Sequence, residues 1–152
     1  MKRFSTIILA TCISILAHAE LKVHFTFETL QSSVGNHTGT LKNGASLTHV
    51  AGIPVLSLGA NNGYFDMGPS VGEVIASLNG FTISTNVYIP STTTLGGNGN
   101  FIYTFANSTN IGSDANGCIF FGANETRYTI CLSNYLEEKS VMANYRFPTG
   151  SW

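Results

Sequence analysis

The sequence predicts an all-β protein, built as an antiparallel two-sheet sandwich or jelly roll. Short runs of alternating apolar and polar residues recur along the chain and are separated by turn-forming Gly, Asn and Pro. Helical spacing covers only one short segment, so strands joined by crossover helices are not expected. Charged residues make up 10% of the 152 residues and hydrophobic residues 43%, which favours a folded domain over a disordered chain.

The beginning of the chain has the features of a secretion signal. Lys2 and Arg3 supply a positive start, residues 7–16 an apolar stretch, and Ala17-His18-Ala19 the small-x-small pattern that signal peptidase accepts. We therefore expect residues 1–19 to be a signal peptide that is cleaved after Ala19.

The exported part, residues 20–152, is expected to be secreted, periplasmic or attached to the cell surface. The apolar stretch of the leader is shorter than the roughly 20 residues that span a bilayer, so no integral membrane span is predicted. Lipidation at Cys12 is the alternative to cleavage after Ala19. The net charge is -1 and Lys and Arg form no cluster beyond the leader, which argues against a nucleic-acid partner. The pattern leaves the oligomeric state open.

The longest alternating runs are residues 21–27 and 81–89, each apolar on one side and polar on the other. Between them, Val71, Val74 and Leu78 have helical spacing and predict one short helix over residues 71–78. Further strands are predicted at residues 39–41, 45–50, 54–58, 64–67, 101–105, 118–121, 128–132 and 140–144.

Two cysteines remain after removal of the leader, Cys118 and Cys131. A two-residue turn at Asn124-Glu125 would place them opposite each other on neighbouring strands, and an exported protein permits disulfides. We predict a cross-strand disulfide; two buried thiols acting as small apolar side chains are the alternative. The same register has two further pairs: Ile119 with Ile130, and Phe121 with Tyr128.

Residues 54–68 (PVLSLGANNGYFDMG) and 80–90 (GFTISTNVYIP) resemble the laminin-G-like, concanavalin-A-like jelly rolls of exported bacterial proteins. That family has a strand ending in a Tyr-x-Asp-x-Gly type motif, followed by a Phe-Thr-Ile-Ser-x-Trp-Val-Tyr type strand. Asn86 stands where the family usually has Trp. Members continue with several strands after the element that matches Gly150-Ser151-Trp152, so the resemblance implies an incomplete jelly roll, the N-terminal part of the domain. A compact small sandwich that ends naturally here is the alternative.

Catalytic patterns are not found. Glucanases of related fold carry carboxylates at alternate positions of one strand, whereas Glu137 and Glu138 are adjacent and would point to opposite faces. His24, His37 and His49 lack metal-ligand spacing, and no Gly-x-Ser-x-Gly elbow occurs. We therefore predict a protein that is not an enzyme.

The loop before the strand at 118–121 contains Asp114 and Asn116, and it resembles the acidic-amide loop that pentraxins use for half of a calcium site. The resemblance implies calcium as a cofactor, since hard oxygen ligands suit this ion. An ordinary turn is the alternative, because Asp and Asn beside Gly commonly form one.

Sugar recognition needs an aromatic ring beside amides or hydroxyls. Tyr64 with Asn61 and Asn62 is the predicted ligand site, and Tyr103 with Tyr128 is a second possibility; all these tyrosines could also be ordinary strand residues. The expected function is an exported, non-catalytic accessory module that binds a glycan or an extracellular protein. Two alternatives remain: the N-terminal fragment of a secreted glycoside hydrolase whose catalytic part lies beyond residue 152, and a purely structural spacer domain.

Overall fold

The computed structural model describes residues 19–59, 62–95, 100–106, 117–122, 127–131, 138–142 and 147–152. In these residues the chain is mostly β-strand with one short helix, and every strand pair is antiparallel. The all-β prediction is confirmed at this level, while the two-sheet jelly roll stays a prediction. The elements are β1 (Thr40–Lys42), β2 (Ser46–Val50), β3 (Ile53–Ser57), β4 (Tyr64–Asp66), α1 (Pro69–Ser77), β5 (Phe101–Ala106), β6 (Cys118–Gly122), β7 (Arg127–Cys131) and β8 (Glu138–Met142).

The chain divides into two compact units, Met1–Met67 and Gly68–Trp152. In the first unit β2 and β3 form a hairpin, and β1 pairs with β4. Ala51 and Gly52 connect β2 to β3 with φ angles of 51° and 79°, as a type I′ turn requires. A matching pair of positive φ angles at Asn43 and Gly44 turns the chain between β1 and β2.

Three phenylalanines pack together in the first unit. The Phe65 ring meets the rings of Phe25 and Phe27 edge-on, at centroid distances of 4.9 and 5.5 Å. Phe65 also lies against buried Gly39, where a β-carbon would overlap the ring. The strand predicted over residues 21–27 is wrong, because the structure has no strand there and Phe27 has a φ angle of 61°. The alternating pattern still places the side chains of Phe25 and Phe27 together, since both contact Phe65.

The second unit begins with α1, which confirms the helix predicted from the apolar spacing. Gly68 precedes it with a φ angle of 79°, and Pro69 occupies its first turn, where a missing N–H is tolerated. Val71 is buried. The strand predicted at residues 81–89 is wrong: none of residues 81–90 lies in a strand, although Ile89 accepts a backbone hydrogen bond of 2.7 Å from Gly150.

The four remaining strands form one sheet in the order β5-β6-β7-β8. The register predicted from the cysteines is confirmed, since Cys118 lies opposite Cys131, and Phe121 opposite Tyr128. The predicted turn at residues 124–125 lies outside the described residues. No helix in the described ranges is long and apolar enough to cross a membrane.

Candidate functional site

One face of the four-stranded sheet carries most of its large apolar side chains. Successive residues of a strand point to opposite faces, and the register aligns two rows across the strands. We call their members the aromatic face. One row is Tyr103, Phe121, Tyr128 and Val141, and the other is Phe105, Ile119, Ile130 and Lys139.

The rings of the aromatic face form a continuous surface. Tyr103 and Phe121 lie 5.9 Å apart with ring planes only 22° from parallel, and Phe105 lies 6.0 Å from Tyr103. Phe147 meets the edge of Phe121 at 5.7 Å. Such distances are those of favourable aromatic contacts, so the rings support one another as a platform.

The opposite face of the sheet is the better covered one, and we call it the covered face (Cys118, Phe120 and Thr129). Phe120 is 6% exposed and Thr129 is 0% exposed. The Thr129 hydroxyl is hydrogen-bonded to the Ser140 hydroxyl at 2.8 Å, and the Arg127 guanidinium lies 5.5 Å from the Phe120 ring centroid. Polar groups on this face therefore have partners within the protein.

The aromatic face remains accessible by comparison. Tyr103, Phe121 and Tyr128 are half-buried, and Val141 is 74% exposed. In antiparallel sheets with one solvated face, the apolar side chains commonly lie on the covered side. Here Phe120 and Thr129 are buried on one face, whereas the Tyr103, Phe121 and Tyr128 rings on the other face keep part of their surface accessible, which marks the aromatic face as a candidate binding surface.

Tyr103 is the titratable group of this face whose environment changes its acidity. Burial raises the pKa of the Tyr103 phenol above its usual 10.0, and the neighbouring Tyr128 phenol raises it further. As for any tyrosine, the hydroxyl is protonated at neutral pH and can donate a hydrogen bond as well as accept one.

The site predicted at Asn61, Asn62 and Tyr64 is only partly described. Tyr64 lies in β4 with an exposed side chain, and Asn62 has a φ angle of 53° while its carbonyl accepts a hydrogen bond from the Asn43 amide at 3.3 Å. Asn61 lies outside the described residues. The Asn62 backbone therefore takes part in the turn, and the Tyr64 side chain is 48% exposed.

The predicted calcium ligands Asp114 and Asn116 also lie outside the described residues. Within the part of the chain that is described, no group of three or more His, Cys, Asp or Glu side chains could hold a metal ion. Calcium binding stays a prediction from the sequence.

A serine–histidine contact in the first unit has no counterpart among the predicted sites. Ser33 Oγ lies 3.0 Å from His24 Nδ1 and 3.1 Å from the His24 carbonyl oxygen, and the Ser33 N–H donates to that same carbonyl. Ser32 is buried, and its Oγ accepts a hydrogen bond from the His24 N–H at 2.9 Å. These bonds fasten residues 21–27 to the following turn, so the contact is structural. A spacing of nine residues carries no motif that could have revealed it.

Tyr103 and Tyr128, the second sugar platform considered from the sequence, do lie on one face. Phe105 and Phe147 extend that platform and were not expected to take part. The two-residue spacing of Tyr103 and Phe105 could have indicated that Phe105 lies on the same face. The position of Phe147 follows from tertiary packing alone. No protein family, curated protein or solved structure matches the chain, so the aromatic face must be interpreted from its own geometry.

Proposed function

We propose that the chain is an exported, non-catalytic module that binds a glycan on the aromatic face of the four-stranded sheet. The observation that supports this most directly is that Tyr103, Phe121 and Tyr128 share one face of the sheet and are only half-buried, whereas Phe120 and Thr129 on the opposite face are buried. The secretion signal and the lack of a catalytic pattern, both taken from the sequence, complete the proposal.

A pyranose ring has an apolar face and a rim of hydroxyl groups. The nearly parallel rings of Tyr103 and Phe121 suit the apolar face. The hydroxyls of Tyr103 and Tyr128 and the ammonium of Lys139 offer hydrogen bonds to the rim. This combination favours a glycan over an apolar protein segment, which would leave the polar tips without partners.

The expected affinity is modest. Two or three stacking contacts of about 1 kcal/mol each, with a similar gain from hydrogen bonds, correspond to a dissociation constant of about 0.1 to 1 mM. Such affinity is useful for a module that holds a protein against a polymer with many repeated sites.

The proposal includes a calcium ion with Asp114 and Asn116 as two of its ligands, on the basis of the sequence alone. Binding should therefore be measured with calcium and with a chelator. Asp114→Ala is expected to remove any difference between the two conditions.

The decisive experiment compares two tyrosine variants by calorimetry against soluble neutral polysaccharides. Tyr128→Ala should weaken binding about tenfold or more, because one ring and one hydroxyl are lost. Tyr64→Ala is the matched control, an exposed tyrosine on β4, and it should leave binding unchanged. Equal losses in both variants, or binding abolished only by Tyr64→Ala, would contradict the proposal. Release of new reducing ends from the polysaccharide would contradict its non-catalytic part.

A further inference from the structure

We propose that Cys118 and Cys131 form a disulfide that joins β6 to β7. Cys118 carries a free thiol in the structure, and the proposal concerns the oxidised form of the same chain. The geometry that points to it is the strand register, in which the two residues are direct partners.

Direct partners in an antiparallel pair have α-carbons about 4.5 to 5.5 Å apart. A disulfide requires about 4.4 to 6.8 Å. The bond can therefore form between β6 and β7 without a shift of either strand. A register displaced by one residue would place the two cysteines on opposite faces of the sheet and exclude the bond.

The surroundings of Cys118 also suit a disulfide. Its partner on the other side, in β5, is Ala106, whose single methyl group leaves room for a second sulfur atom. Cys118 is buried on the covered face beside Phe120, so a bond once formed there is shielded from dissolved thiols.

The reaction balances with a small disulfide as oxidant, such as oxidised glutathione. The thiolate of one cysteine attacks the oxidant and displaces one small thiol; the thiolate of the other then attacks this mixed disulfide and displaces the second. The sulfur–sulfur bond of the oxidant breaks and one forms in the protein. The two protons given up by the cysteines end on the two released thiols.

The bond would lock the register on which the aromatic face depends. Phe121 and Tyr128 lie three residues inside the cysteine pair on the same two strands, and a slip of one residue would turn one of them to the other face. This consequence rests on the proposed function, whereas the bond itself can be tested without any ligand.

Trypsin provides the test, because Arg127 lies between the two cysteines. The full chain is treated with oxidised glutathione, its free thiols are alkylated, and it is digested without reductant. We expect peptides 43–127 and 128–139 to be recovered as one linked species that separates on reduction. Recovery of both peptides alkylated and unlinked, or a link from either one to the peptide that contains Cys12, would overturn the proposal.

A thermal measurement separates the bond from the proposed function. A loop of this size predicts a melting temperature about 5 to 10 °C higher for the oxidised chain than for the reduced one. Cys131→Ala should lack this difference and keep the melting temperature of the reduced wild type. If the variant fails to fold, the linked peptides of the wild type still decide the matter. Linked peptides without glycan binding would leave the disulfide standing and overturn only the proposed function.

Discussion

β7 and residues 81–90 belong to the same unit and both alternate apolar with polar side chains, but only β7 forms a ladder, with β6 and β8 as its partners. β7 follows β6 after a short connection and lies beside it in a regular register. Residues 81–90 lie in no strand, and Phe81 and Tyr88 are exposed. Pairing with a strand that is near in sequence costs little loop-closure entropy, whereas a segment without such a neighbour can pair only with a distant strand at a higher entropy cost.

Alternation and strand formation are therefore separate properties. Alternation decides which side chains share a face, as Ile83 and Val87, both half-buried, still do in part. Strand formation needs backbone partners for N–H and C=O groups along the segment. Whether a segment forms a strand therefore depends on its backbone hydrogen-bond partners as well as on its side-chain pattern.

The largest effect is expected from proline. Ile130→Pro removes an N–H from β7, which has a partner strand on both sides, and should lower the free energy of unfolding by about 3 kcal/mol. Ser84→Pro in residues 81–90 should lower it by less than about 1 kcal/mol, since no ladder bond is lost. Urea denaturation measures both. A comparable loss at Ser84 would show that residues 81–90 do pair with another strand in solution.

Truncation of a phenylalanine in each region should give the next effect. Phe120 is 6% exposed and Phe81 is 36% exposed. Phe120→Ala should lower the free energy of unfolding by about 3 to 4 kcal/mol, because a buried ring leaves a cavity. Phe81→Ala should cost about 1 kcal/mol. Equal losses in urea denaturation would mean that the covered face is less important than its burial indicates.

The smallest effect concerns the acidity of Tyr103 on the aromatic face. Its folded-state pKa is raised above the usual 10.0, so the unfolded chain ionises first as the pH increases. The free energy of unfolding should therefore hold below pH 10.0 and fall above it. Thermal melts over this range should show a shallower fall for Tyr103→Phe. An identical fall in the two proteins would argue that the phenol is solvated in the folded state.

Much of the second unit could be predicted from local patterns. Val71, Val74 and Leu78 marked the helix, and the cysteine register correctly aligned Phe121 with Tyr128. These features depend on neighbours within a few residues or on one short connection. The strands predicted at residues 21–27 and 81–89 were wrong for the opposite reason. Each needed a partner strand from elsewhere in the chain, and alternation does not specify that partner.

The candidate site was predictable only in its components. Tyr103 and Tyr128 could be recognised as potential sugar contacts, but only as the second possibility after Tyr64 with Asn61 and Asn62. The distinction came from Phe121, which stands between the two tyrosines across the sheet and makes them part of one surface. Tyr64, in contrast, is paired with Lys42 at the end of a short two-stranded ladder.

Apolar spacing and a nearby turn act locally, so the amino-acid pattern alone specifies where the short strands and the helix lie and how β6 faces β7. Only the tertiary structure decided which face of the sheet is covered and which alternating segments find a ladder. Both outcomes depend on what packs against a segment from elsewhere in the chain, and a pattern of side chains along that segment contains no record of its partner.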